Sequence, residues 1–143
     1  MTNKLNPEII ERFILPGESN SDISIRSLLG GRNNNLTFIQ INERKLVLKS
    51  YSNNGDWPRL LTEYSFVSFL HQYRIDNVPK PISSIPKYNS ALYSYISGNM
   101  ISCSTDLIVK ECIEFILAIN KKTKNSKDKF KNCIHSINIK KAS

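Results

Sequence analysis

Leu36-Thr37-Phe38-Ile39-Gln40-Ile41-Asn42-Glu43-Arg44-Lys45-Leu46-Val47-Leu48-Lys49-Ser50-Tyr51 consists of two alternating runs joined by a polar turn. Residues 36–41 and 45–51 both repeat with period two, and Asn42-Glu43-Arg44 supplies turn residues between them, so the stretch predicts an antiparallel hairpin. Upstream, Ile23–Leu29 reads as another strand. Gly30-Gly31-Arg32-Asn33-Asn34-Asn35 separates it from the hairpin. Three short antiparallel strands follow from this order, preceded by a polar, helical N-terminal stretch.

Downstream the period changes. Asp56-Trp57-Pro58 predicts a helix start, with Asp56 as cap and Pro58 in the first turn, where no intrahelical donor is needed. The helix is expected to run to about Tyr73. Leu60, Phe66, Val67 and Leu70 fall in one apolar sector of it, and Glu63 lies in the middle of that sector. A carboxylate facing a core is costly unless paired, so the pattern asks for a buried cation. Val78-Pro79-Lys80-Pro81 reads as an extended connector, because each proline restricts its predecessor and removes a donor. Strands at Ile82–Ile85 and Ser90–Ile96 flank the turn Pro86-Lys87-Tyr88-Asn89, and Ser97-Gly98-Asn99 ends the second. Ser104 or Thr105 caps a last helix with Ile108, Cys112, Phe115, Ile116 and Ile119 at helical spacing, and the pattern dissolves beyond Asn120. The expected fold is α+β: a five-stranded antiparallel sheet with one packed helix, plus a C-terminal helix, over residues 1–120. A Lys-rich tail, 121–143, follows as a flexible end or the start of a further lobe.

Bulk properties bound the function. A length of 143 residues suits one domain, and 40% hydrophobic with 22% charged residues is ordinary for a globular chain. The net charge of +8 is not spread evenly. Residues 121–143 hold eight Lys and one Asp, whereas 1–120 hold twelve Lys and Arg against eleven Asp and Glu. The tail therefore reads either as a solvated end or as an arm for nucleic acid. Cys103, Cys112 and Cys133 are odd in number, widely spaced and without a C-x-x-C pair, which points to reduced thiols rather than disulfides or zinc. The N-terminus has no apolar signal core. The richest apolar run, Ile113–Ile119, is interrupted by Glu114 and too short to span a bilayer, so a cytoplasmic protein without a membrane span is expected.

Five strands with one helix between the third and fourth, then a further helix, is the order of the small lobe of protein-kinase-like enzymes. The residues at those stations resemble the aminoglycoside phosphotransferase and choline kinase family. Leu29 to Phe38 is similar to its G-G-x-x-N phosphate loop, Val47-Leu48-Lys49-Ser50-Tyr51 to its lysine strand, and Arg59-Leu60-x-x-Glu63 to its helix glutamate. Pro79-x-Pro81 and Leu92 to Gly98 resemble its P-x-P connector and hinge strand, and the likeness covers roughly residues 22–120. It implies ATP as the nucleotide. Gly30, Gly31 and Asn34 would surround the phosphates, Lys49 would take the α- and β-phosphates with Glu63 holding it, and the backbone of Ser94 and Ile96 would read adenine, with Tyr93 behind.

The residues themselves leave alternatives. Small side chains at Gly30 and Gly31 let amides approach an anion, but two glycines also make a plain hairpin turn. Lys49 shares a strand face with Val47 and Tyr51, so it needs a partner or snorkels to solvent with Glu63 at the core edge.

Phosphoryl transfer needs a base or orienting aspartate and metal-binding groups, held by the family in an H-x-D-x-x-x-x-N segment followed by an Asp. The sequence contains neither. His71 lies within the glutamate helix and reads as a surface residue, while His135 lies in the tail, where Ile137 occupies the Asp position. No catalytic or metal-binding residue is therefore expected here, and Mg²⁺ and a small hydroxylated acceptor are expected only with a C-terminal lobe. The chain stops where that lobe should begin, which suggests a truncated kinase fragment, inactive alone, or a short binding or regulatory protein. The competing function class is a non-catalytic protein using Lys121, Lys122, Lys124, Lys127, Lys129 and Lys131 on nucleic acid or an anionic membrane. Only Phe130 is available there to stack on a base, which weighs against nucleic acid.

Overall fold

The computed structural model describes residues 6–11, 14, 23–28, 34–52, 58–99 and 101–124. In chain order the elements are α1 (Pro7–Glu11), β1 (Ile23–Leu28), β2 (Asn34–Ile41), β3 (Arg44–Tyr51), α2 (Arg59–Gln72), β4 (Pro81–Ile85), a 3-10 turn (Pro86–Tyr88), β5 (Ser90–Ser94) and α3 (Asp106–Thr123). The fold is α+β, with all strands in one antiparallel sheet of order β1-β2-β3-β5-β4. The chain forms two compact units, one of Met1–Leu60 with Pro81–Tyr95 and the other of Leu61–Lys80 with Ile96–Ser143.

The first unit is built on the sheet. Ile41 pairs with Arg44 across a two-residue turn in which Asn42 takes φ 52°, a left-handed conformation its short polar side chain tolerates. Asn89, φ 45°, plays the same part after the 3-10 turn and fastens it to β3: its amide nitrogen Nδ2 donates to the Tyr51 carbonyl at 2.9 Å, and its own carbonyl accepts from the Tyr51 N–H at 2.9 Å. Pro81 opens β4 at the sheet edge, where a missing donor costs no ladder bond.

Register assigns the side chains to two faces, since directly opposed residues of an antiparallel pair lie on the same side. One face buries Ile39, Ile41, Leu46, Leu48, Ile85 and Leu92, and Ile9 of α1 joins this cluster with Ile14 and Ile23 at its margin. Asn6 starts α1, its Oδ1 accepting from the Glu8 N–H at 3.0 Å. The Glu8 carboxylate then accepts from Lys87 Nζ, 2.7 Å away, and from the Tyr88 hydroxyl.

The second unit comprises most of α2, the following loop and α3. Phe69, Leu70 and Ile75 form its core, with Tyr73, Val78, Phe115 and Ile119 packed against it. Lys122 Nζ donates to the Arg74 carbonyl at 2.9 Å. His71 is half-buried rather than a surface residue. Its Nε2 lies 3.3 Å from the carbonyls of both Val78 and Pro79, tying the helix to the extended connector.

Two helix faces differ from the periodic expectation. Phe66 is exposed on α2, while Ser65 and Phe69 are buried; within α2 only Phe66 and Gln72 are exposed, so burial runs round the helix instead of along one stripe. On α3 the expected Ile108, Phe115 and Ile119 are half-buried, but Cys112 and Ile116 are exposed, together with Leu107, Val109, Ile113 and Leu117. Thr105 is the cap, its Oγ1 accepting from the Ile108 N–H at 3.3 Å, and the helix continues past Asn120 to Thr123.

Candidate functional site

The sheet face opposite the α1 cluster carries Lys49. Following the register outward, Lys49 stands between Leu36 of β2 and Ala91 of β5, and the flanking rows are Asn34–Tyr51 and Phe38–Val47–Tyr93. Phe38, Tyr51, Ala91 and Tyr93 of this face are buried. Lys49 itself is half-buried, with Nζ 5.2 Å from the centroid of the Tyr51 ring, close enough for the ring quadrupole to favour the ammonium. The Tyr51 and Tyr93 hydroxyls hydrogen-bond at 3.0 Å, which satisfies two polar tips inside an aromatic layer. The pairing of Tyr93 with Tyr51 was not expected from the sequence.

A second array lies along the same face. Arg26 of β1 opposes Phe38, and its guanidinium carbon sits 4.4 Å from the Phe38 ring centroid. Tyr95 meets Phe38 edge to face, centroids 5.0 Å apart and planes at 83°. Arg26 was missed by sequence reasoning, because its alignment with Phe38 depends on the length of the turn between β1 and β2. The available signal was compositional. No strand contains Asp or Glu, whereas the strands hold Arg26, Arg44, Lys45 and Lys49. Register puts Arg26, Lys45 and Lys49 on the aromatic face and Arg44 on the other.

The remaining expected residues fall as follows. Gly30 and Gly31 lie outside the described residues, as do Asp56 and Trp57. Asn34 is the first residue of β2, two residues earlier than the alternation predicted, and its Oδ1 is buried with no hydrogen-bond partner among the described residues. Ser94 ends β5, where Ile96 had been expected. Tyr95 donates its N–H to the Lys45 carbonyl at 3.0 Å, so alternation turns the Ser94 backbone away from β3, toward the side where β4 pairing stops at Pro81. Ile96 follows the strand and is half exposed. Glu63 is half-buried in the second turn of α2, in the other compact unit.

Among the described residues no group of three or more His, Cys, Asp or Glu is placed to hold a metal ion. No helix among them is long and apolar enough to cross a membrane. Cys103 and Cys112 are exposed free thiols. No protein-family model matches the chain, and no curated protein matches it.

Proposed function

We propose that the aromatic face around Lys49 binds the polyphosphate of a nucleotide, ATP by the family resemblance, and that the chain is the nucleotide-binding lobe of a small-molecule phosphotransferase. The observation that carries this reading is the charge of the sheet. Five strands without a carboxylate present three cations on one face, with Lys49 seated among buried aromatic side chains. A phosphate group fits a compact ammonium flanked by aromatic side chains. The element order, with α2 between β3 and β4 and α3 after β5, agrees with the lobe that the sequence resembles.

In this reading Lys49 and Asn34 take phosphate oxygens, Gly30 and Gly31 join them by the family resemblance alone, and the Ser94 backbone reads the base. A bound nucleotide supplies the phosphoryl group. The described residues do not assemble a magnesium site, and no step is assigned to that ion. The acceptor base is likewise absent from the sequence, so the chain's part is to hold and orient the nucleotide.

Isothermal titration with ATP decides the matter. Loss of one charge-assisted contact weakens binding about 10- to 150-fold, so Lys49→Ala should abolish measurable heat if wild type binds in the millimolar range or somewhat tighter. Glu63→Gln should weaken binding less. Equal heats from wild type and Lys49→Ala would remove Lys49 from any nucleotide site.

A further inference from the structure

Helix α3 has two apolar sides. Phe115 and Ile119 pack against the Phe69, Leu70 and Ile75 core of its unit. Val109, Ile113, Ile116 and Leu117 gather about 120° farther round the axis, and each keeps between 47% and 60% of its surface exposed. Single exposed aliphatic side chains are ordinary, but four in one stripe form a patch whose burial would release water. Val109, Ile113 and Ile116 are spaced by four and three residues, the repeat of a seam between paired helices, and Leu117 lies beside them.

Charge indicates what covers the stripe. Residues 106–114 carry Asp106, Glu111 and Glu114 against Lys110 alone, whereas residues 115–124 carry Lys121, Lys122 and Lys124 and no acid. Lys122 is turned inward to the Arg74 carbonyl, and Lys110 and Glu114 answer each other within the helix, 3.9 Å apart. The exposed side is therefore acidic at its start and basic at its end, and the same helix reversed complements both halves. The levels agree as well. Setting Ile113 beside Leu117 of a reversed copy also sets Asp106 beside that copy's Lys124, because both pairs lie symmetrically about residue 115. A copy laid parallel would put acid against acid.

We infer that α3 is a self-association surface: two copies of the chain pair antiparallel through the stripe of Val109, Ile113, Ile116 and Leu117, about a twofold axis level with residue 115. Apolar burial supplies the affinity, and the end charges set the direction. One helix pair is smaller than a standard interface, so the dimer forms in the micromolar range or above.

Sedimentation velocity of the full chain across concentration tests this, with Ile113→Asp, Asp106→Lys, Lys124→Glu and the double variant of the last two. Wild type should show reversible exchange between monomer and dimer. Ile113→Asp should remove the dimer: a central residue costing about 30-fold acts twice in a twofold interface, roughly 1000-fold in all. Either charge reversal should weaken the dimer several-fold at low salt, and the double variant should restore it, since residue 106 of one copy meets residue 124 of the other. All three positions are exposed, so melting temperatures should stay near wild type. A wild type that is monomeric up to about 1 mM, a dimer indifferent to Ile113→Asp, or a double variant no better than the single ones overturns the proposal. So does a monomer that binds vesicles of phosphatidylserine and phosphatidylcholine and loses them with Ile113→Asp, which would assign the stripe to a membrane.

Discussion

Replacing Ile9 by Ala tests whether a five-residue helix closes one face of the sheet. A helix of that length is not stable by itself in water, so α1 persists through what it touches. Ile9 is 6% exposed within a cluster of Ile39, Ile41, Leu46, Leu48, Ile85 and Leu92. The substitution removes three buried carbons at about 0.8 kcal/mol each, about 2.4 kcal/mol in all. The cost rises toward about 5 kcal/mol if the cavity cannot collapse. At a urea slope of about 1–3 kcal/mol per molar, 2.4 kcal/mol lowers the midpoint by roughly 1–2 M. The other attachment of α1, Glu8 to Lys87 and Tyr88, is solvent-exposed, and exposed ion pairs contribute little, so Glu8→Gln should leave the midpoint unchanged. Urea unfolding followed by backbone circular dichroism, with hydrogen exchange of the β3 and β5 amides, measures both variants. An Ile9→Ala midpoint equal to wild type, or a Glu8→Gln loss as large as that of Ile9→Ala, would refute apolar docking as what holds α1.

Three further outcomes are expected. Stability should fall as pH rises above the ordinary tyrosine value of 10.0: burial raises the Tyr64 phenol, so it holds its proton more tightly in the folded chain and its contribution, full below that value, is lost as pH climbs through the raised one. Tyr64→Phe should blunt this alkaline loss in melting curves across that range, and an unchanged curve would dismiss Tyr64 as a contributor. Thr105→Ala should cost about 0.5–1 kcal/mol, the low end for an N-cap given its 3.3 Å bond, seen as faster amide exchange at Ile108 and no change in the sheet. Deleting residues 125–143 should leave ATP affinity unchanged, because no residue assigned to the nucleotide lies among them; RNA retention lost with the tail, from a chain that gives no heat with ATP, would instead make the tail the working part.

The candidate site was legible in the sequence to different depths. Lys49 was assigned to a face with Val47 and Tyr51 by period-two alternation alone, and the structure has that face, because adjacent residues of a strand point to opposite sides whatever surrounds them. Arg26 and its partner Phe38 were invisible, since they are neighbours only through inter-strand register. The same limit explains the shift of the β2 start to Asn34 and the end of β5 at Ser94: strand ends stop where partners stop.

By itself the chain determined the number and order of strands, the turns at Asn42 and Pro86–Asn89, and a helix cap at Ser104 or Thr105, each written in residues close together in sequence. Tertiary structure alone decided which of these side chains are buried. Ile9 lies on the aliphatic side of the sheet, α2 buries Ser65 and Phe69 while exposing Phe66, and α3 leaves Val109, Ile113 and Ile116 outward. Periodicity reports the direction in which a side chain points, whereas burial depends on what long-range packing puts there, and that information is not carried by any local pattern.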